Sequence, residues 1–213
     1  MGQDAATGDP PGPGAGTLGW YAGNAEAFWQ RTREHDVGQN IAALLAAIAA
    51  PPPLDILDLG CGPGRDLRAF ADLGHRPVGL DGAAPFVSMA AAYSGCPVWR
   101  QDFLALDLPA GRFDGIFANA SLFYVPRANL PRVLAELRAA LRPGGVLFSS
   151  NPHGDDAEGW QDGRFGSFHR PETWDAHLVR AGFLPVASYF RPAGLPRESQ
   201  PWYASVWRRP AGS

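Results

Sequence analysis

The chain has 213 residues, long enough for one domain with a sizeable core, or a domain with a small insertion. Hydrophobic residues make up 46% and charged residues 18%, and Gly (26) and Pro (21) stay below the share that signals wholesale disorder. The formal net charge of −3 offers no basic face to nucleic acid, and all 18 basic residues are arginine, which excludes any mechanism built on a Schiff-base or P-loop lysine.

The first 16 residues, MGQDAATGDPPGPGAG, are rich in Gly, Pro, Asp and Ala without an apolar period, and read as a disordered tail. They lack the basic start and apolar run of a secretory signal, and Ala6 stands where a myristoylation motif wants Ser or Thr. From Asn24 the pattern turns helical through Ala25, Phe28, Trp29 and Thr32. A second helical stretch carries Val37, Ile41, Leu44, Leu45 and Ile48 and stops at a triple proline. The apolar run 41–50 is too short for a membrane span. Cys61 and Cys96 are too few for a disulfide framework and lack metal-ligand spacing, so no metal is expected, and a reduced, cytoplasmic setting is.

Beyond the prolines, short buried strands at 54–59, 77–80, 97–99, 113–120 and 146–150 alternate with helices at 66–74, 85–95 and 130–145. Strands joined by helices pair in parallel through right-handed crossovers, which predicts an α/β, doubly wound sheet. A helix near 171–181 and strands at 183–190 and 202–207 follow; the last two are close enough in sequence to pair antiparallel at the sheet edge. Seven strands are expected, mostly parallel, with an antiparallel strand at the edge.

The sharpest motif is Leu57-Asp58-Leu59-Gly60-Cys61-Gly62-Pro63-Gly64, which runs from the first strand straight into a helix. Glycines there let a ligand approach backbone without meeting a Cβ, and the helix start behind them supplies free amide N–H groups. The second strand ends at Asp81, where a carboxylate is suited to a ribose diol, so the pattern speaks for a nucleoside. A dinucleotide fingerprint departs from this loop, because Arg65 stands where its third glycine should fall.

LDLGCGPGRD, GLD at 79–81, QDF at 101–103, FDGIFANASLFYVP and LRPGGVLFSS resemble the successive motifs of class I S-adenosylmethionine-dependent methyltransferases. The likeness covers roughly residues 20–150, and the flanks resemble a bacterial small-molecule subgroup, distantly like tellurite-resistance-type methyltransferases. The resemblance implies a Rossmann-like methyltransferase fold, S-adenosyl-L-methionine as cofactor and a single methyltransferase domain over 17–213. That domain divides into opening helices (17–53), a cofactor-binding core (54–150) and an acceptor-side lid with the final strands (151–213).

It implies that Gly60, Cys61 and Gly62 lie along the methionine part, with Asp58 reaching its amine. Asp81 would hold the ribose, with Gly82 letting the sugar approach, and Asp102 and Phe103 would meet the adenine. Asn119, Ala120 and Ser121 would line the floor, and Tyr21 and Arg31 would clasp the carboxylate. Asp102 as a cap of the following turn stands as the plainer reading of that residue.

Transfer of a methyl group from a sulfonium needs no protonated leaving group, so a catalytic dyad is not required. Tyr124, His153 and His169 are the candidate bases, and Arg191, Arg197 and Trp202 are candidates for an anionic or aromatic acceptor pocket. Trp160 and Arg164 belong to a glycine-rich segment that reads as a lid. The expected function is methyl transfer to a small molecule. The alternatives are a noncatalytic S-adenosylmethionine-binding module or a protein methyltransferase. No nucleic acid or membrane partner is expected, and the protein is expected to be a monomer or a homodimer.

Overall fold

The computed structural model describes residues 12–212, and the tail expected over residues 1–16 lies outside that range as far as residue 11. From Pro13 the expectation of disorder is corrected, because helix α1 spans Pro13–Gly23. Helices α2 (Ala25–Thr32) and α3 (Gly38–Ala47) follow, ending before the prolines as their apolar spacing implies.

The alternating part then runs β1 (Asp55–Leu59), α4 (Arg65–Asp72), β2 (Arg76–Asp81), α5 (Ala84–Ser94), β3 (Val98–Arg100), β4 (Phe113–Asn119), α6 (Leu130–Ala140) and β5 (Leu141–Pro152). A hairpin of β6 (Ala157–Gln161) and β7 (Arg164–Phe168), helix α7 (Pro171–Arg180), β8 (Leu184–Arg191) and β9 (Trp202–Arg208) complete the chain. The seven-stranded sheet has the order β3-β2-β1-β4-β5-β9-β8, while β6 and β7 form a separate two-stranded sheet. Strands β1 to β5 pair in parallel and β9 runs antiparallel to both β5 and β8. The last two strands thus pair at the edge as anticipated, with the antiparallel one second from it and β8 outermost.

Strand alternation sorts the core onto two faces. Ile56, Phe117 and Phe148 pack with Ile41 and Leu44 of α3 and Phe70 of α4. Leu57, Leu59, Ile116 and Leu147 pack with Leu130, Leu134 and Leu137 of α6 and with Trp174 and Leu178 of α7. The order of strands reverses between β1 and β4, so their carboxyl ends open a crevice at that point, the place where open α/β sheets bind ligands. Among the described residues no helix is long and apolar enough to cross a membrane.

Candidate functional site

The loop between β1 and α4 is pinned to the end of β2. The amides of Gly60 and Cys61 both donate to the Leu80 carbonyl, at 2.8 and 3.1 Å, and the Gly62 amide donates to Asp81 Oδ2 at 3.0 Å. Gly60 has φ +76° and Gly64 φ +97°, backbone that side chains other than glycine rarely adopt. A Cβ on Gly60 would sit 2.5 Å from Ser121 Cβ, and one on Gly64 2.7 Å from Ala90 Cα. The first glycine therefore keeps the crevice floor open, and the second lets α4 and α5 pack closely.

Asp81 is 8% exposed and its Oδ1 accepts from the Ala83 amide at 2.9 Å. Burial pushes its carboxyl up to about 6, against the pull of the backbone amides of Ala83, Gly62 and Gly82. Each oxygen accepts one amide N–H and retains a second lone-pair site. Asp66 takes a different environment: Arg65 reaches it at 2.6 and 3.1 Å, and Asn119 Nδ2 donates to it at 3.0 Å. Asn40 in turn donates to Asn119 Oδ1 at 2.9 Å, and Tyr189 donates to Asn40. This chain fixes the end of β4, where Ala120 holds φ +60°, a strained value for a residue with a Cβ. The hydroxyl of neighbouring Ser121 is buried without a partner among the described residues.

Asp66, Asp81, Asn119, Ala120 and Ser121 line a cavity of about 910 Å³, roofed by α1, α2 and the β6–β7 hairpin. The roof is joined by specific contacts. The Phe165 amide donates to Thr17 Oγ1 at 2.9 Å, and a Cβ on Gly16 would lie 2.3 Å from the Trp160 ring. The Arg164 guanidinium stands 4.5 Å from the centre of the Trp20 ring. Inside, the Tyr21 and Tyr124 hydroxyls are hydrogen-bonded to each other, and the Arg164 guanidinium stands beside both. Burial, then the Tyr21 hydroxyl, pushes the Tyr124 phenol up, so it is neutral at neutral pH. Phe28, Phe86, Phe123, Phe168 and Trp202 supply much of the remaining wall.

Twelve of the residues singled out in the sequence line this cavity: Tyr21, Gly60, Cys61, Gly62, Asp81, Gly82, Asp102, Phe103, Asn119, Ala120, Ser121 and Tyr124. Two of them do so differently than expected. The space beside Gly82 is taken by Leu18, whose Cδ2 would lie 2.6 Å from an added Cβ. Asp102 caps the short helical turn after it, Oδ1 accepting from the Leu104 amide at 2.8 Å, and its carboxyl group also faces Gly14.

Four expected site residues stand elsewhere. Asp58 is 2% exposed beneath the loop, with Oδ2 unpartnered; burial and the adjacent Asp66 push its carboxyl well up, and it does not line the cavity. Arg31 is exposed on α2, turned away from the cavity. His153 faces the 197–200 turn, 3.1 Å from the Gln200 carbonyl and from Arg197. His169 is buried behind the hairpin with Nδ1 unpartnered, and burial, with His177 and Arg127 nearby, pushes it down to about 4. Of the acceptor-side residues, Arg191 and Trp202 line the cavity and Arg197 does not. Asp66, Thr17 and Leu18 line it and were missed. The acid following Gly64-Arg65 was the available signal for the first, whereas α1 carried none.

A glycine loop, an acid closing β2 and a crevice at the reversal of strand order define a doubly wound, nucleoside-binding α/β fold. Comparison with known proteins narrows the class. Residues 56–145 match the family described as "Methyltransferase domain". A trans-aconitate 2-methyltransferase of Azoarcus sp. is 32% identical over 162 residues, covering 74% of this chain and 62% of its own. Another enzyme of that name, from Paracidovorax citrulli, is 30% identical over 178 residues, covering 80% of this chain and 67% of its own. The chain therefore spans less than two thirds of the Azoarcus relative's length. In fold it is similar to the 1,6-didemethyltoxoflavin-N1-methyltransferase of Burkholderia thailandensis, solved with 1,6-didemethyltoxoflavin and S-adenosylhomocysteine. There the TM-score is 0.79 at 22% identity, with 95% and 92% of the two chains covered. The chain belongs to the class I S-adenosylmethionine-dependent methyltransferases.

Proposed function

We propose that this protein transfers a methyl group from S-adenosylmethionine to a small organic acceptor. The observation that carries the reading is the position of Asp81 beside the Gly60–Gly64 loop at the mouth of the roofed cavity. The residues present fit the cofactor. Asp81 has acceptor capacity left for a ribose diol, the Gly60 cradle is one that a Cβ would fill, and Ser121 Oγ is a buried hydroxyl without a partner.

When bound, S-adenosylmethionine supplies a methyl group on a sulfonium, whose departure as a thioether needs no proton. The chain's own residues do the rest. Asp81 accepts from the ribose hydroxyls. Asp102 keeps one oxygen for the adenine amine while the other holds its cap, and Phe103 covers the adenine face. The Gly60–Gly62 backbone runs along the amino-acid part above Ala120 and Ser121, with the Asn119 carbonyl and Asp66, rather than Asp58, toward the amine. Tyr21 remains beside the carboxylate end, without Arg31. Tyr124, held neutral, orients the acceptor as a hydrogen-bonding group and is not its base. Roof and aromatic wall exclude water and align the reacting groups, the contributions such a displacement needs most.

The relatives named for trans-aconitate make that acid the first acceptor to test. The two free thiols, Cys61 and Cys96, suit a reducing, cytoplasmic compartment. The test is calorimetric titration with S-adenosylhomocysteine and with NAD, followed by incubation with methyl-labelled donor and either trans-aconitate or a metabolite extract. Binding of the homocysteine derivative and label in small molecules is expected. NAD binding alone refutes the reading. Binding without turnover supports a noncatalytic module, and label confined to macromolecules supports a protein methyltransferase.

A further inference from the structure

Arg164 projects from β7 into the cavity wall, and none of the acids that line the cavity is ion-paired with it. Arg65, by contrast, spends its guanidinium on Asp66 and the Thr32 carbonyl, and Arg191 donates to the Asp36 carbonyl. Arg164 stands over the face of Trp20 and beside the hydroxyls of Tyr21 and Tyr124, all neutral groups, and no ion pair holds it among the described residues. Its Nε is buried with no acceptor among the described residues. Asp162, two residues earlier, is exposed at the edge of the cavity and makes no ion pair with Arg164, and Asp81 and Asp102 hold backbone amides. A guanidinium offers five donors and keeps its proton, so two neighbouring phenols that bond each other leave it undersatisfied. The wall beside it is aromatic and apolar: Phe123 lies 6.1 Å from Phe168 and 6.3 Å from Trp202, centre to centre, and presents both ring faces and a ring edge.

We propose that Arg164 anchors the acceptor, pairing with the carboxylate of a flat aromatic acid whose ring lies among Phe123, Phe168 and Trp202. The assignment rests on the methyl-transfer reading for the word acceptor, but the anion site stands or falls by itself. A planar fork matches a carboxylate with two parallel hydrogen bonds, and the Tyr21–Tyr124 pair keeps the fork in place. Nothing charged is required of Tyr124, which fits a phenol kept neutral by burial.

The experiment uses the full chain and two fluorescent probes of one shape, naphthoate and naphthamide, titrated without and with S-adenosylhomocysteine. The wild type is expected to prefer naphthoate by about ten-fold or more, the contribution of a charge-assisted pair. In Arg164→Met that preference falls to about three-fold or less, Arg164→Lys recovers part of it, and affinity for S-adenosylhomocysteine is unchanged. Equal binding of the two probes by the wild type, or binding of neither, overturns the proposal. So does a large loss of S-adenosylhomocysteine affinity in Arg164→Met, which would place the guanidinium on the cofactor's carboxylate. Displacement of naphthoate by trans-aconitate at lower concentration overturns the aromatic half of the assignment. Should Arg164→Met fail to fold by circular dichroism, the wild-type probe comparison and Arg164→Lys decide. Failure of the wild type to bind S-adenosylhomocysteine, with the naphthoate preference intact, removes the methyl-transfer reading and leaves the anion site.

Discussion

Asp81→Ala separates binding from folding, because two effects on stability oppose each other at this position. Removing the carboxylate leaves the amides of Gly62 and Ala83 without their acceptors, at about 1–3 kcal/mol each. It also relieves the cost of keeping a buried carboxyl ionised. A shift from 3.8 to about 6 corresponds to about 3 kcal/mol at pH 7. The two nearly cancel, so the variant is expected to stay folded with a change in melting temperature of less than about 10 °C. Binding has no such offset. The ribose hydroxyls lose a charged acceptor, worth about 1.5–3 kcal/mol, so affinity for S-adenosylhomocysteine should fall by about ten- to a hundred-fold in calorimetry at pH 7.5. A folded variant that binds within about three-fold of the wild type would refute the ribose assignment. Asp102→Ala is the comparison for stability alone: it removes one cap on a partly exposed turn, and about 1 kcal/mol of stability is expected to go with it.

Gly64→Ala places a methyl group against the α5 backbone at φ +97° and is expected to cost about 2–5 kcal/mol, read as a fall in melting temperature. An unchanged transition would show that α4 and α5 are not packed as described. Thr17→Val removes the acceptor of the Phe165 amide, and hydrogen exchange across β6–β7 should accelerate by about ten-fold. Unaltered exchange means α1 does not hold the hairpin. Between pH 4 and 6.5, Asp81 and His169 act on stability with opposite signs. The folded pKa of Asp81 is raised, so its contribution is full below about 4 and lost as pH rises through about 6. That of His169 is depressed to about 4, so its contribution is full above 6.5 and lost as pH falls through about 4. Asp81→Asn should therefore make the protein relatively less stable at acid pH, and His169→Gln relatively more stable there, each by about 3 kcal/mol in urea titrations at pH 4 and 7. Parallel profiles for both variants and the wild type would contradict the burial of both groups.

The alternating core was legible because buried parallel strands and their helices carry periods of 2 and 3.6, and glycine and proline punctuate them. Strands and helices from 54 to 150 fall within a few residues of where those periods put them, apart from the fifth strand, which begins at Leu141 inside the segment read as a helix stop. What periodicity does not carry is direction relative to the crevice, and the misplaced site residues share that cause. On α2 the residues lining the cavity are Phe28, Trp29 and Thr32; at 3.6 residues per turn, Arg31 points about 100° away from their mean direction. On β5, Ser150 and Pro152 line the cavity, so alternation sends His153 to the other side. On β1 the same rule puts Asp58 on the face of Ile56, under α4, where burial raises its carboxyl and keeps it from the crevice. Helix α1 was hidden for another reason. Its sequence, PGAGTLGWYAG, has poor helix propensity, and two of its four glycines are what packing demands: Gly14 lies against Asp102 and Leu104, and Gly16 against Trp160. Those two glycines weaken the helical signal and also let the segment close over the nucleoside crevice, so local propensity and tertiary contact disagree where the chain builds its roof.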